Sequence, residues 1–154
     1  MSFIVNLLIA LPARIASYFP WAGPLLMRIV VGYTFMLTGW GKLNNLEFVT
    51  KNFIEWGVPL PHILTPFVSC VECFGGAMLI LGLFTRIPAA MLIVVMIVAI
   101  KVAKWGDVDS LDTLLGFDEV TYLAAFFWLA VAGPGAVSLD HLLVRRFGRP
   151  GATT

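Results

Sequence analysis

Four long apolar runs govern what this chain can fold into: 24-PLLMRIVVGYTFMLTGWGKL-43, 61-PHILTPFVSCVECFGGAMLILGLF-84, 87-IPAAMLIVVMIVAIKVAKW-105 and 118-DEVTYLAAFFWLAVAG-133. A helix rising 1.5 Å per residue needs about 20 residues to cross a hydrocarbon core of about 30 Å. Each run approaches that length, the last being short. The chain is 60% hydrophobic and 12% charged, with a mean hydropathy of +0.94, against roughly 45–50% apolar content in an ordinary soluble domain. A soluble all-α core fits worse, because four such runs in 154 residues leave few polar faces for water. The expected fold is an all-α membrane protein, a four-transmembrane-helix bundle forming one domain over residues 1–154. The formal net charge of +1 provides no electrostatic footprint for nucleic acid, so the expected partner is the lipid bilayer.

The segment before the first run, MSFIVNLLIALPARIASYFPWAG, has its cation Arg14 after the apolar stretch rather than before it. That order does not suit a cleaved secretory signal. Residues 1–22, with Trp21 at their end, are expected to form an interfacial lead-in helix. Turn residues separate the runs: Asn44-Asn45 and 57-GVPLP-61, then Thr85-Arg86 with Pro88, then Gly106. With four spans, the N-terminus, the second loop and the C-terminal tail share a side, and that side holds Arg14, Arg86, Arg145, Arg146 and Arg149. The other side holds Lys51 and Lys104, with Lys42 and Lys101 near helix ends. The positive-inside rule then places both termini in the cytoplasm, with 144–154 as a basic tail held near anionic lipid.

An ionisable residue deep in a span is costly and marks either a site or a pair inside the bundle. On a helical wheel, Arg28, Gly32, Phe35, Gly39 and Lys42 share one face of the first span. Two glycines on that face permit another helix to lie close. Glu72 is the sharper case. It lies about 11 residues, or about 16 Å, from either end of its run, so it cannot reach water by snorkelling. Its wheel neighbours are Thr65, Ser69, Gly76 and Leu79. An anionic carboxylate there requires a cation or a wet cavity, and Arg28 is the first candidate, with Lys42 and Lys101 behind it. Reversing the second span against the first places Glu72 level with Gly32 to Phe35, within reach of Arg28. Cys70 and Cys73 fall on a neighbouring face, and at mid-membrane their thiols are expected to be reduced and structural. Gly75-Gly76 and Gly82 would permit close contact with a second copy, making a homodimer one candidate assembly.

The ordered series Arg28…Gly32, 38-TGWGKL-43, 56-WGVPLP-61, Glu72-x-x-Gly75-Gly76, 81-LGLFTR-86 and 133-GPGAVSLDHLL-143 resembles the DoxX family of small bacterial inner-membrane proteins. The resemblance runs from Arg28 to His141 and implies a four-helix membrane protein. Arg28, Gly39, Lys42, Glu72, Gly75, Gly76, Gly82, Arg86, Gly133, Gly135, Ser138 and Asp140 stand at matching positions. It further implies an association with quinone-linked thiosulfate oxidation, thiol and oxidative stress complexes, maturation of disulfide-rich enzymes, or copper-peptide gene clusters. Two readings follow. In the first, the protein is a redox-linked component of a membrane oxidoreductase, binding a quinone beside Arg28, Lys42, Glu72 and Lys101. In the second, it is a non-enzymatic subunit that recruits a partner protein into a membrane complex. Copper held by Cys70, Cys73 and a methionine such as Met78 is a lesser option, since Cu(I) prefers soft sulfur ligands. His62 and His141 fall at opposite membrane ends and cannot share a metal.

Overall fold

The fold was obtained as a computed structural model that describes residues 6–147, and among them there are helices and no strands. A π-helical turn at Asn6–Ala10 leads into α1 (Leu11–Ala16), which has no buried residue. The long helices are α2 (Ala22–Asn44), α4 (Pro61–Leu81) and α5 (Arg86–Ala99), with α3 (Leu46–Glu55) between the first two. α5 runs on through a π-helical turn at Ile100–Lys104 and a 3-10 turn at Trp105–Asp107. The short α6 (Leu111–Leu115), α7 (Asp118–Ala132) and α8 (Leu139–Phe147) complete the chain.

Among the described residues three helices are long and apolar enough to cross a membrane: Ala22–Asn44, Pro61–Leu81 and Arg86–Asp107. The fourth run makes α7, whose 15 residues rise only about 22 Å, short of a full crossing. The protein is therefore a multi-pass membrane protein, all-helical and with three helices of spanning length among the described residues. α4 packs on α2 and α5, and α7 packs on α5 and α2. Their shared core contains Val31, Phe35, Val71, Leu79, Leu92, Met96, Phe126 and Leu129. Phe35 anchors it by meeting Tyr122 and Phe126 edge-on, with ring centroids 5.1 and 4.9 Å away, a favoured aromatic geometry. Large apolar side chains such as Leu26, Tyr33, Trp40, Phe67, Phe74 and Phe127 point outward. Lipid solvates such a surface at no cost, whereas backbone polar groups must be satisfied inside the helices.

The α2–α4 seam fixes the register. A Cβ on Gly32 would stand 2.7 Å from the Gly76 carbonyl oxygen, and one on Gly76 would stand 2.5 Å from that of Gly32. A Cβ on Gly39 would collide with the backbone of Cys73 and Ser69. Position 32 thus faces 76 and 39 faces 69 to 73, an antiparallel pair in near-backbone contact. Gly75 instead faces Pro88 and Leu92 of α5 at ordinary contact distances. The glycines offered above to a second copy are used within the chain, because Gly82 also packs on Ser138 and Arg28.

Candidate functional site

The register decides which cation Glu72 meets. Cα–Cβ bonds tilt toward a helix N-terminus, and long side chains follow them. In this antiparallel pair, Lys42 and Glu72 lean toward one another from above and below the Gly39–Ser69 level. Arg28 leans the same way as Lys42, which from its position on α2 carries it away from Glu72 and toward the end of α4. The Lys42 Nζ accordingly lies 2.7 Å from Glu72 Oε1, with Glu72 only 2% exposed and Lys42 29%. The expected Arg28–Glu72 contact does not form. Arg28 and Lys42 are 14 residues apart, about 21 Å along the helix, so one carboxylate cannot serve both. The glycine seam, not the alignment of helix centres, sets the register of α2 against α4.

Arg28 is buried at the other end of the bundle, where its guanidinium donates to main-chain carbonyls. Nε reaches Leu79 O at 3.0 Å and Nη2 reaches Ile80 O at 3.4 Å. Nη1 reaches Val137 O at 2.9 Å and also the carbonyl of Pro134. The first two acceptors belong to the last turn of α4, where carbonyls lack helical partners and the helix dipole favours a cation. Gly82 closes that helix in the left-handed region (φ +66°), with its N–H on Leu79 O and that of Leu83 on Met78 O. This is a Schellman arrangement, which glycine adopts without strain. Asp140 holds the following turn: its carboxylate accepts from the N–H groups of Phe84 (2.7 Å) and Thr85 (3.1 Å), and its own N–H donates to Gly82 O at 3.0 Å. The bonds stabilise Phe84 at an unusual φ of +48°. Ser138 donates to Gly135 O. Arg28, Gly82, Ser138 and Asp140 thus form a brace between the α4–α5 turn and the start of α8, separate from Glu72. Arg86 is exposed beside Gly133.

The Lys42–Glu72 pair lies in the wall of a half-open cavity of about 860 Å³ bordered by α2, α4, α5 and α7. Its inner wall carries Phe35, Val71, Thr34, Thr38 and Tyr122, and α3 and the following loop add Phe53, Trp56 and Val58. Lys104, Asp107, Asp118 and Glu119 supply polar groups where α5 ends and α7 begins. Glu72 Oε2 is buried without a hydrogen-bond partner among the described residues. Lys101, the third cation expected near Glu72, is exposed and does not line this cavity. The π-helical turn at Ile100–Lys104 changes the side-chain phase there, and Lys104 lines the cavity instead. Cys70 is half-buried and Cys73 buried, both are free thiols, and neither lines the cavity. Among the described residues no three His, Cys, Asp or Glu side chains converge as a metal set.

An apolar cavity among lipid-facing helices with one buried ion pair defines a class: small integral membrane proteins with an intramembrane polar site. The DoxX family profile matches residues 23–105, and the chain belongs to that family. It is 27% identical over 125 residues to "Inner membrane protein YqjF" of Escherichia coli, covering 81% of this chain and 95% of that protein. It is 30% identical over 125 residues to "Putative oxidoreductase CatD" of Bacillus subtilis, covering 80% and 88%. An uncharacterized Haemophilus influenzae protein is 34% identical over 124 residues, covering 78% and 90%. No solved structure matches the chain.

Proposed function

We propose that this is a single-domain inner-membrane protein that binds a quinone in the cavity beside Lys42 and Glu72, as a redox-linked component of a membrane oxidoreductase system. The observation that carries the reading is the pairing of an apolar cavity of about 860 Å³ with a buried carboxylate whose second oxygen has no partner. A quinone, when bound, supplies two-electron chemistry coupled to two protons. The residues present fit it. Lys42 keeps two ammonium protons beyond the one given to Glu72 and can orient a ligand oxygen. Glu72 holds the Lys42 ammonium in place through Oε1, while the apolar walls seat a hydrocarbon tail. Phe67 of α4 and Val94 of α5 both line the cavity and are more than half exposed, which supports entry from the bilayer. The names of the E. coli and B. subtilis relatives, "Inner membrane protein YqjF" and "Putative oxidoreductase CatD", agree with this reading.

In the same proposal α7 completes a four-helix bundle as its fourth, tilted or locally short crossing. Both termini are cytoplasmic and residues 6–22 lie along the interface; residues 1–5 of the expected lead-in helix and 148–154 of the expected basic tail lie outside the described residues. A second reading is favoured by the brace, in which Arg28, Gly82, Ser138 and Asp140 serve the fold rather than a cavity. In that reading the protein is a non-enzymatic subunit whose loops or tail recruit a partner. Solvent extraction of the purified protein, followed by mass spectrometry, separates the two. Near-stoichiometric quinone that falls sharply in Lys42→Ala supports the cavity, while a stoichiometric partner protein without quinone supports the subunit.

A further inference from the structure

The turn between α4 and α5 joins two helices of spanning length, so it lies at a membrane surface. Beside it runs an open groove of about 510 Å³, lined by Phe84, by Ile87 of α5 and by Leu143 and Val144 of α8. All four side chains are exposed. The polar groups of the groove are Arg86, His141 and Asp140. Asp140 is already used, since its two carboxylate oxygens accept from the Phe84 and Thr85 N–H groups. Arg86 is not: it has no hydrogen-bond or ion-pair partner among the described residues. Its guanidinium lies against Gly133, where a Cβ would stand 3.4 Å from both Nε and Nη2. The His141 ring has an N–H to donate in either protonation state.

Three further features fit a lipid at this place. Arg28 and Arg86 outweigh the single negative charge of Asp140, and α8 adds Arg145 and Arg146 in its last turn, so an anion is favoured. α8 has no buried residue, and its exposed Leu142, Leu143 and Phe147 alternate with those cations as in a helix lying on a bilayer. Phe84 is held at φ +48° with its ring exposed. Such a backbone is unfavourable, and the outward ring that it presents gains a contact only when something apolar covers it.

We propose that this groove seats an anionic phospholipid, with its phosphate on the Arg86 guanidinium and His141 and the upper part of an acyl chain over Phe84, Ile87 and Leu143. The planar fork of arginine matches a phosphate, and the apolar lining matches the chain that a free phosphate lacks. The site is independent of the quinone reading, and it is distinct from general attraction of the basic tail to the membrane.

The test is native mass spectrometry of the full-length protein in detergent, titrated separately with phosphatidylglycerol and with phosphatidylcholine. The expected result is one phosphatidylglycerol adduct at low lipid, bound roughly tenfold more tightly than phosphatidylcholine. Arg86→Gln, at an exposed position, should abolish that preference, whereas Arg145→Gln combined with Arg146→Gln should retain it. Excess glycerol phosphate should not displace the lipid. Equal binding of the two lipids by the wild-type protein, or a preference that survives Arg86→Gln, overturns the site. Displacement by glycerol phosphate at concentrations similar to the lipid's overturns the lipid as its occupant. The wild-type comparison stands even if a variant fails to fold.

Discussion

Side-chain direction, more than charge, assigns partners in this bundle. Lys42 and Glu72 converge because each leans toward the N-terminus of its own helix, and the same lean carries Arg28 away to the carbonyls at the end of α4. The two cations therefore do different work, and mutation should separate them. Lys42→Gln should destabilise markedly by orphaning the buried Glu72 carboxylate and Glu72→Gln less, since Lys42 is partly exposed, whereas the double variant should be milder than the sum, with a coupling of about 1–3 kcal/mol. Arg28→Gln combined with Glu72→Gln should be additive. Thermal unfolding in detergent checks both cycles, and coupling in the second would show that Arg28 and Glu72 communicate after all. Arg28→Met should lower stability by about 2–3 kcal/mol on its own, since it takes the guanidinium donors from the carbonyls of Ile80, Pro134 and Val137 and leaves Leu79 O with the Gly82 N–H alone.

The helices themselves were largely legible. The first three apolar runs predict α2, α4 and α5 to within a few residues, because bilayer thickness dictates length and Gly82 ends α4 where the run meets a turn. α3 was not anticipated: Leu46–Glu55 mixes charged and apolar residues and reads as loop when spans are sought by continuous hydrophobicity. The register was legible but unread. Gly32 and Gly39 are seven apart, as are Ser69 and Gly76, and matching these small residues antiparallel yields the observed seam. Depth counted from helix ends carries no such information, and on depth alone Arg28 falls beside Glu72. The π-helical turn that exposes Lys101 leaves no pattern in IKVAK that periodicity could detect. The seam predicts a contrast between adjacent glycines. Gly76→Ala should destabilise by about 1–3 kcal/mol or prevent assembly, since its methyl would stand 2.5 Å from Gly32 O. Gly75→Ala, whose methyl would meet Pro88 and Leu92 at 3.6 and 3.7 Å, should be near neutral by the same unfolding assay.

At the scale of the whole molecule, the two polar systems occupy opposite ends of the helices. The brace of Arg28, Gly82 and Asp140 fastens the α4–α5 turn to α8, and the cavity lies toward the end where α4 and α7 begin. The proposed topology puts the brace on the cytoplasmic side. Single cysteines introduced at exposed Val137 and Leu111 in a Cys70→Ala, Cys73→Ala background should therefore label from opposite faces of intact spheroplasts, only the second reacting with an impermeant maleimide. Labelling of both from outside would refute that topology. The central claim, that the ligand site is the Lys42–Glu72 cavity, is tested most directly by photo-crosslinking with an azido-benzoquinone and mapping the modified peptides. The account predicts label on Thr34–Lys42, Phe67–Glu72 or Tyr122, competed by excess benzoquinone and diminished in Lys42→Ala. Label confined to the Phe84–Arg86 or Gly133–His141 segments, or label that competitor does not displace, would contradict it.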